Sequence, residues 1–185
     1  MNHENSFDTA IKIIDLAKEG GADAVKFQSY KADTLASKDS PAYWDITKEP
    51  TLNQNKLFKK YDSFEAKDYL NLFLYCKKIG IDFLSTPFDL ESVEYLSDIV
   101  PFFKIASADI TNFELLAAVA KKNKPILLST GASNIDEISQ AIQLLKKNNC
   151  DEIGLMHCIL NYPTQNINAN LSMITSIKNH FPEYI

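Results

Sequence analysis

Five short apolar runs each end in residues able to hold an anion. Lys26 and Gln28 close the first, and Ser85 and Thr86 the second. Lys104, Ser107 and Asp109 close the third, Ser129 and Thr130 the fourth, and His157 the fifth. Two ammonium groups and several hydroxyls make a cradle for a phosphate or carboxylate once one rim gathers them. The Gly131-Ala132-Ser133 stretch at a helix start adds backbone N–H donors for the same anion. Alternation along a strand puts Lys26 and Gln28 on one side, opposite Val25 and Phe27, which then face covering helices. Lys104 shares its side with Ala106, whereas Ser107 and Asp109 have the other parity. They meet at one site only if the strand stops near Ala106 and the chain turns.

Singly, each residue has a plainer reading. A lysine near a strand end reaches for solvent, and strand-end Ser and Thr cap backbone groups. His157 serves as a hydrogen-bonded rim or core residue, Cys158 as a small buried hydrophobe, and Asp109 as the residue before a cap at Thr111. The plainer readings weaken together, because five runs repeat the same pattern.

The runs are strand-like: Ala22–Tyr30, Ile81–Phe88, Pro101–Asp109, Pro125–Gly131 and Glu152–Leu160. Helical-period segments separate them. In the first helix Ile11 and Ile14, with Phe7 and Ala10, fall on one face, and Gly20-Gly21 stops it. Thr111-x-x-Glu114 and Ser133-x-x-Asp136 have capping-box form and predict two helix starts. Continuously apolar strands alternating with helices imply a parallel sheet under helices. Unit lengths suit a (β/α)8 barrel or an open doubly wound sheet. Lys31 to Ser63 has no clear period and carries Pro41 and Pro50; a connection that long is functional or disordered. No linker divides the chain into two domains.

With 185 residues the chain has length for one ordinary domain, and 45% hydrophobic content excludes wholesale disorder. A net charge of −5 argues against a general nucleic-acid binder. Three scattered cysteines, Cys76, Cys150 and Cys158, fit a reducing compartment, and no run is long enough to span a bilayer. The start "MNHENSFDTA" lacks the basic and apolar regions of a secretion signal. The expectation is a cytoplasmic protein without membrane or nucleic-acid partners.

"GGADAVKFQSYKADTL", "FLSTPFD", "FKIASADITNFELL", "KPILLSTGAS" and "MHCILNYPTQNINANL" together resemble the sialic acid synthase family. Its members include N-acetylneuraminate, legionaminic and pseudaminic acid synthases. The likeness runs in order from "NHENS" to "HFPEYI". It implies a (β/α)8 TIM-type barrel that condenses phosphoenolpyruvate with an N-acetylated aminosugar, releases phosphate and uses a divalent metal, Mn or Mg. By the same resemblance Lys104 and Lys26 contact phosphoenolpyruvate, and Thr86, Ser107 and Ser129 donate hydroxyls to it. Asp109 falls where many members have a Glu that positions sugar and carbonyl. Tyr162 matches an aromatic on the sugar side, and Gln28 a neighbouring strand-end amide. Leu160 stands where many members carry Asn or Ser, leaving the adjacent Asn161 as the local amide.

Against that family pattern, residues 1–185 correspond to a partial barrel domain with about five of eight strands. The first strand, two metal-binding histidines and the C-terminal antifreeze-like domain fall outside it, so no metal ligand is assigned. Full-length members are homodimers. A barrel lacking three strands has open edges, and the segment alone is expected to be poorly stable and inactive. Two other readings remain. One is a pyruvate-type aldolase using Lys104 or Lys26 as a Schiff-base nucleophile. The other is a non-catalytic fragment that binds an anion or a partner chain.

Overall fold

The computed structural model describes residues 2–184, which form two compact units, Met1–Val100 and Pro101–Ile185. Both are α/β, with parallel strands and helices in alternation.

The first unit opens with α1 (Phe7–Glu19). Ser6 caps it by accepting from the Thr9 N–H at 3.1 Å, and Asp8 and Lys18 complement the helix dipole at its two ends. Ala10 and Ile14 are buried while Phe7 and Ile11 are half-buried, as the spacing predicts. The helix ends at Gly20, and Gly21 follows at φ +80°, where a Cβ would be strained. Then come β1 (Ala24–Ser29), α2 (Ala32–Leu35), α3 (Gln54–Lys59), α4 (Ala66–Ile79), β2 (Asp82–Pro87) and α5 (Leu90–Leu96).

β1 and β2 run parallel, Lys26 level with Leu84 and Gln28 with Thr86. Partners level in a parallel pair share a face, so Lys26, Gln28 and Thr86 lie together on one side. The other side is core: Phe27 stacks on Phe83 at 5.8 Å, and Phe83 meets Phe73 of α4 edge-on. Ser85 belongs to this side, its Oγ 2.7 Å from Ser29 Oγ. It is therefore a structural hydroxyl, not a rim one.

The connection from Lys31 to Ser63 is ordered, and holds α2 and α3. Polar stitching replaces the missing apolar period: buried Asn55 donates to the carbonyls of Ala32 and Ala36, each at 3.0 Å. Asp89 ties the start of this connection to α5, accepting from Lys31 N–H at 3.1 Å and capping the helix through Ser92 N–H at 2.7 Å.

The second unit contains β3 (Phe103–Ile105), α6 (Phe113–Ala120), β4 (Ile126–Ser129), α7 (Ile135–Lys147), β5 (Ile153–Met156) and α8 (Ser172–His180), with 3-10 turns at Ser107–Asp109 and Asn166–Asn168. The strands pair in the order β3-β4-β5, all parallel. Phe103, Ile105, Ile126, Leu128 and Ile153 are buried on one face with Leu115, Leu116, Val119, Ile138 and Leu145 of α6 and α7. Each such aliphatic chain contributes about 1.5–3 kcal/mol by leaving water. Lys104, Leu127, Ser129 and Gly154 have the opposite parity.

Both helix starts lie one residue beyond those expected. Asn112, not Thr111, caps α6 by accepting from Leu115 N–H at 3.3 Å. The 3-10 turn delays the helix, since Asn112 N–H still bonds Asp109 O. Asn134, not Ser133, caps α7 in a reciprocal box with Glu137, at 2.8 and 2.9 Å. A Glu at the third helical position reaches back more readily than the shorter Asp136. Ser133 Oγ instead donates to Gly131 O at 3.3 Å.

Candidate active site

β3 stops at Ile105 and the chain turns at once. Ala106 leads into the 3-10 turn Ser107–Asp109, closed by Asp109 N–H to Ala106 O at 3.0 Å. That turn resolves the parity conflict between Lys104 and Ser107. Lys104 Nζ lies 2.5 Å from Ser129 Oγ on β4 and 2.9 Å from the Ile105 carbonyl. Ser107 Oγ accepts from Gly131 N–H at 3.0 Å, so this N–H serves Ser107 and is not open to an anion. Cys158 Sγ lies 3.3 Å from Ser129 Oγ. β3, β4 and the segment after β5 thus deliver one ammonium, two hydroxyls and a thiol to one place. Such a group can hold a small anion.

Asp109 is half-buried at the edge of the turn. Its Oδ2 is buried without a hydrogen-bond partner, and burial raises its carboxyl above the ordinary pKa, with Asn112 pulling weakly the other way. A carboxyl so placed holds a proton more readily than a surface one, which suits acid–base work. Thr130 is committed to structure: its N–H and its Oγ1 both donate to Met156 O, at 3.0 and 2.9 Å. His157 Nε2 sits 2.8 Å from Ala169 O, the plainer of its two readings. Asn161 and Tyr162 lie exposed on the segment after β5, Tyr162 83% exposed, outside the hydrogen-bonded group.

In the first unit Lys26 and Gln28 project from β1 with exposed surface, while Thr86 is buried beside them on β2. Protein packed around the Lys26 amine lowers its pKa below the usual lysine value. Along β1 runs a cavity of about 250 Å³, bordered by Asn2, His3, Ile13 and the β1 residues Val25 to Gln28. His3 is buried, stacked on Phe64 at 4.5 Å, and neither ring nitrogen has a hydrogen-bond partner. Burial lowers its pKa below the ordinary histidine value, so the neutral ring predominates at pH 7.

Sequence reasoning missed three features: the contact of Cys158 with Ser129, the burial of His3, and the close packing at Gly131. A Cβ on Gly131 would stand 2.8 Å from Ser107 Oγ and 2.9 Å from Cys158 O. The one available signal was the Ser-Thr-Gly ending of a strand.

The geometry now has a family to stand beside. Residues 13–185 match the model of the NeuB family. The chain belongs to the NeuB family. Among its relatives, the N,N'-diacetyllegionaminic acid synthase of Campylobacter jejuni subsp. jejuni serotype O:2 is 40% identical over 187 residues, covering 98% of this chain and 55% of that protein. The sialic acid synthetase of Leptospira borgpetersenii serovar Hardjo-bovis, solved in complex with citrate, superposes with a TM-score of 0.84 at 33% identity, over 99% of this chain and 59% of that one. The spore coat polysaccharide biosynthesis protein SpsE of Bacillus subtilis gives 0.80 at 34% identity, over 100% and 49%. This NeuB-family chain spans about half the length of the curated relatives it matches.

Proposed function

We propose that the chain forms part of a sialic-acid-type synthase, in a (β/α)8 barrel, that condenses phosphoenolpyruvate with an N-acetylated aminosugar aldehyde. The observation that carries this reading is Lys104 Nζ at 2.5 Å from Ser129 Oγ, beside a Ser107 oriented by Gly131. That group offers charge and directed hydroxyls to a compact anion. The Leptospira relative binds citrate, itself a polycarboxylate, which supports an anion-binding role. By family resemblance Lys26 and Thr86 contact phosphoenolpyruvate, Gln28 is a neighbouring strand-end amide, Tyr162 is an aromatic on the sugar side, and Asn161 is the amide beside Leu160.

In the proposed reaction C3 of phosphoenolpyruvate attacks the open-chain aldehyde, forming the C–C bond and leaving positive character at C2. Water adds at C2, and phosphate departs with cleavage of its C–O bond. Lys104, Ser107 and Ser129 keep the anion at fixed distance from the aldehyde and stabilise charge as it shifts. Asp109, with its raised pKa, steers the water or the sugar. The resemblance also implies Mn or Mg. Among the described residues no three or more His, Cys, Asp or Glu side chains come together. This donor set does not fit a metal cage, and no step is assigned to one.

A cytoplasmic location and a homodimer complete the reading; among the described residues no helix is long and apolar enough to cross a membrane. The test is phosphate release from phosphoenolpyruvate with a panel of 2-acetamido sugars, using protein from the complete reading frame. Lys104→Met should lower kcat/KM about a hundredfold or more. Unchanged kinetics would remove Lys104 from the site.

One observation favours the aldolase as a second reading. The lowered pKa of Lys26 gives it a larger share of neutral, nucleophilic amine. Borohydride with pyruvate separates the two readings: a covalent adduct on Lys26 supports the aldolase, and sugar-dependent phosphate release without adduct supports the synthase.

A further inference from the structure

Ser129 Oγ is approached by two donors, Lys104 Nζ at 2.5 Å and Cys158 Sγ at 3.3 Å. A hydroxyl has one O–H to give and two lone pairs to receive with. An ammonium has no lone pair, so Ser129 must accept from Lys104. A thiol is a weak donor and its sulfur a weak acceptor, so a serine O–H turns to sulfur only where no oxygen competes. With an anion nearby, the favourable arrangement is S–H to Ser129 Oγ and O–H outward to the anion. Both lone pairs are then filled, and the serine proton has one remaining direction.

We propose that Cys158 is a positioning residue that, together with Lys104, fixes Ser129 as a hydrogen-bond donor to an anionic oxygen of phosphoenolpyruvate. The inference rests on the function proposed above and deepens it. Two further contacts make the arrangement stiff. Lys104 is also tied to the Ile105 carbonyl at 2.9 Å, which holds its ammonium on the β3 side of Ser129. The Cys158 carbonyl would lie 2.9 Å from a Cβ on Gly131, which shows how closely the 158 backbone packs on the turn after β4. Ser107 obeys the same logic. Its Oγ receives the Gly131 N–H at 3.0 Å, leaving its own proton to give. Ser129, with both lone pairs filled, presents its proton, and Ser107, with one lone pair filled by Gly131, still has its proton to give.

The test is a double-mutant cycle on phosphoenolpyruvate binding, read by calorimetry on protein from the complete reading frame, with KM and kcat measured in parallel. Cys158→Ala should weaken binding about threefold to tenfold, the size of one modest hydrogen bond, and show in KM more than in kcat. Cys158→Val, which fills the volume without a donor, should do the same. Cys158→Ser, which keeps a donor, should recover most of the affinity. In a Ser129→Ala background the loss from Cys158→Ala should vanish, because no hydroxyl is left to orient. Thermal melts show that each variant is folded.

An equal loss with and without Ser129 overturns the inference, as does rescue by Val but not by Ser, the pattern of a packing role. These results leave the proposed function standing, provided the unmutated protein binds phosphoenolpyruvate. Absence of that binding overturns the function and the inference together.

Discussion

Gly131 shows how much one side chain can decide. Its position is governed by space: an added methyl would meet Ser107 Oγ at 2.8 Å and the Cys158 carbonyl at 2.9 Å. A hydroxyl can rotate away, but a backbone carbonyl cannot without moving the segment after β5. Gly131→Ala is expected to cost about 1–3 kcal/mol of stability, the usual scale of overpacking. If the proposed function holds, it should also weaken phosphoenolpyruvate binding about tenfold, because the Gly131–Ser107 bond is displaced. Denaturant unfolding and calorimetry read the two effects. Asp109 gives a pH prediction. Burial raises its folded pKa above 3.8, so the folded state holds the proton more tightly than the unfolded one. Stability therefore falls as pH rises through the window between the two values, and at pH 7 the buried charge is a standing cost. Asp109→Asn should melt higher than wild type at pH 7, with the gain shrinking to nothing below about pH 4, the ordinary carboxylate range. A gain that persists at acid pH would mean that its origin is not the charge. Lys104 and Asp109 were legible in the sequence because polar groups stand out in an apolar run. Gly131 and Cys158 were not, because their importance arises where segments distant in sequence touch.

The elements were legible to the extent that they bury one face. All five strands lie inside the expected apolar runs. The caps were less legible, since two overlapping patterns each satisfied the rule. For α7, Ser133-x-x-Asp136 and Asn134-x-x-Glu137 both fit, and only the longer Glu closes the reciprocal pair. The choice is measurable. Asn134→Ala should cost about 1 kcal/mol of unfolding free energy, the usual value for a lost cap. Ser133→Ala, which removes only a bond to the Gly131 carbonyl at 3.3 Å, should cost clearly less. The same ordering is expected for Asn112→Ala over Thr111→Ala at α6. The stretch from Lys31 to Ser63 was illegible for a related reason. Its order comes from Asn55 and other polar contacts that have no period.

At the scale of the whole chain, the strands of the second unit contrast with the segment C-terminal to them. Phe103, Ile105, Ile126 and Leu128 are at most 1% exposed. After β5 the apolar side chains stand in water: Tyr162 is 83% exposed, Ile167 88% and Leu171 68%. α8 buries only Ile177 among its described residues. Local stability tracks buried apolar contact, so this segment should open far more often than β4 or α7. In native-state hydrogen exchange, the amides of residues 160–176 should exchange at least about a hundredfold faster than those of β4. Chymotrypsin at low ratio should cut first near Leu171, leaving a core that ends between residues 160 and 175. Equal protection of both regions would contradict this account of the isolated chain. Protection that grows with protein concentration would show instead that a second copy covers Tyr162, Ile167 and Leu171. The outcome bears on the site as well, since His157 and Cys158 join β5 directly to this segment. The His157 bond to the Ala169 carbonyl at 2.8 Å is one of its few ties. His157→Ala should therefore speed exchange across 160–176 while leaving β4 unchanged, and a uniform effect on both would assign His157 to the core instead.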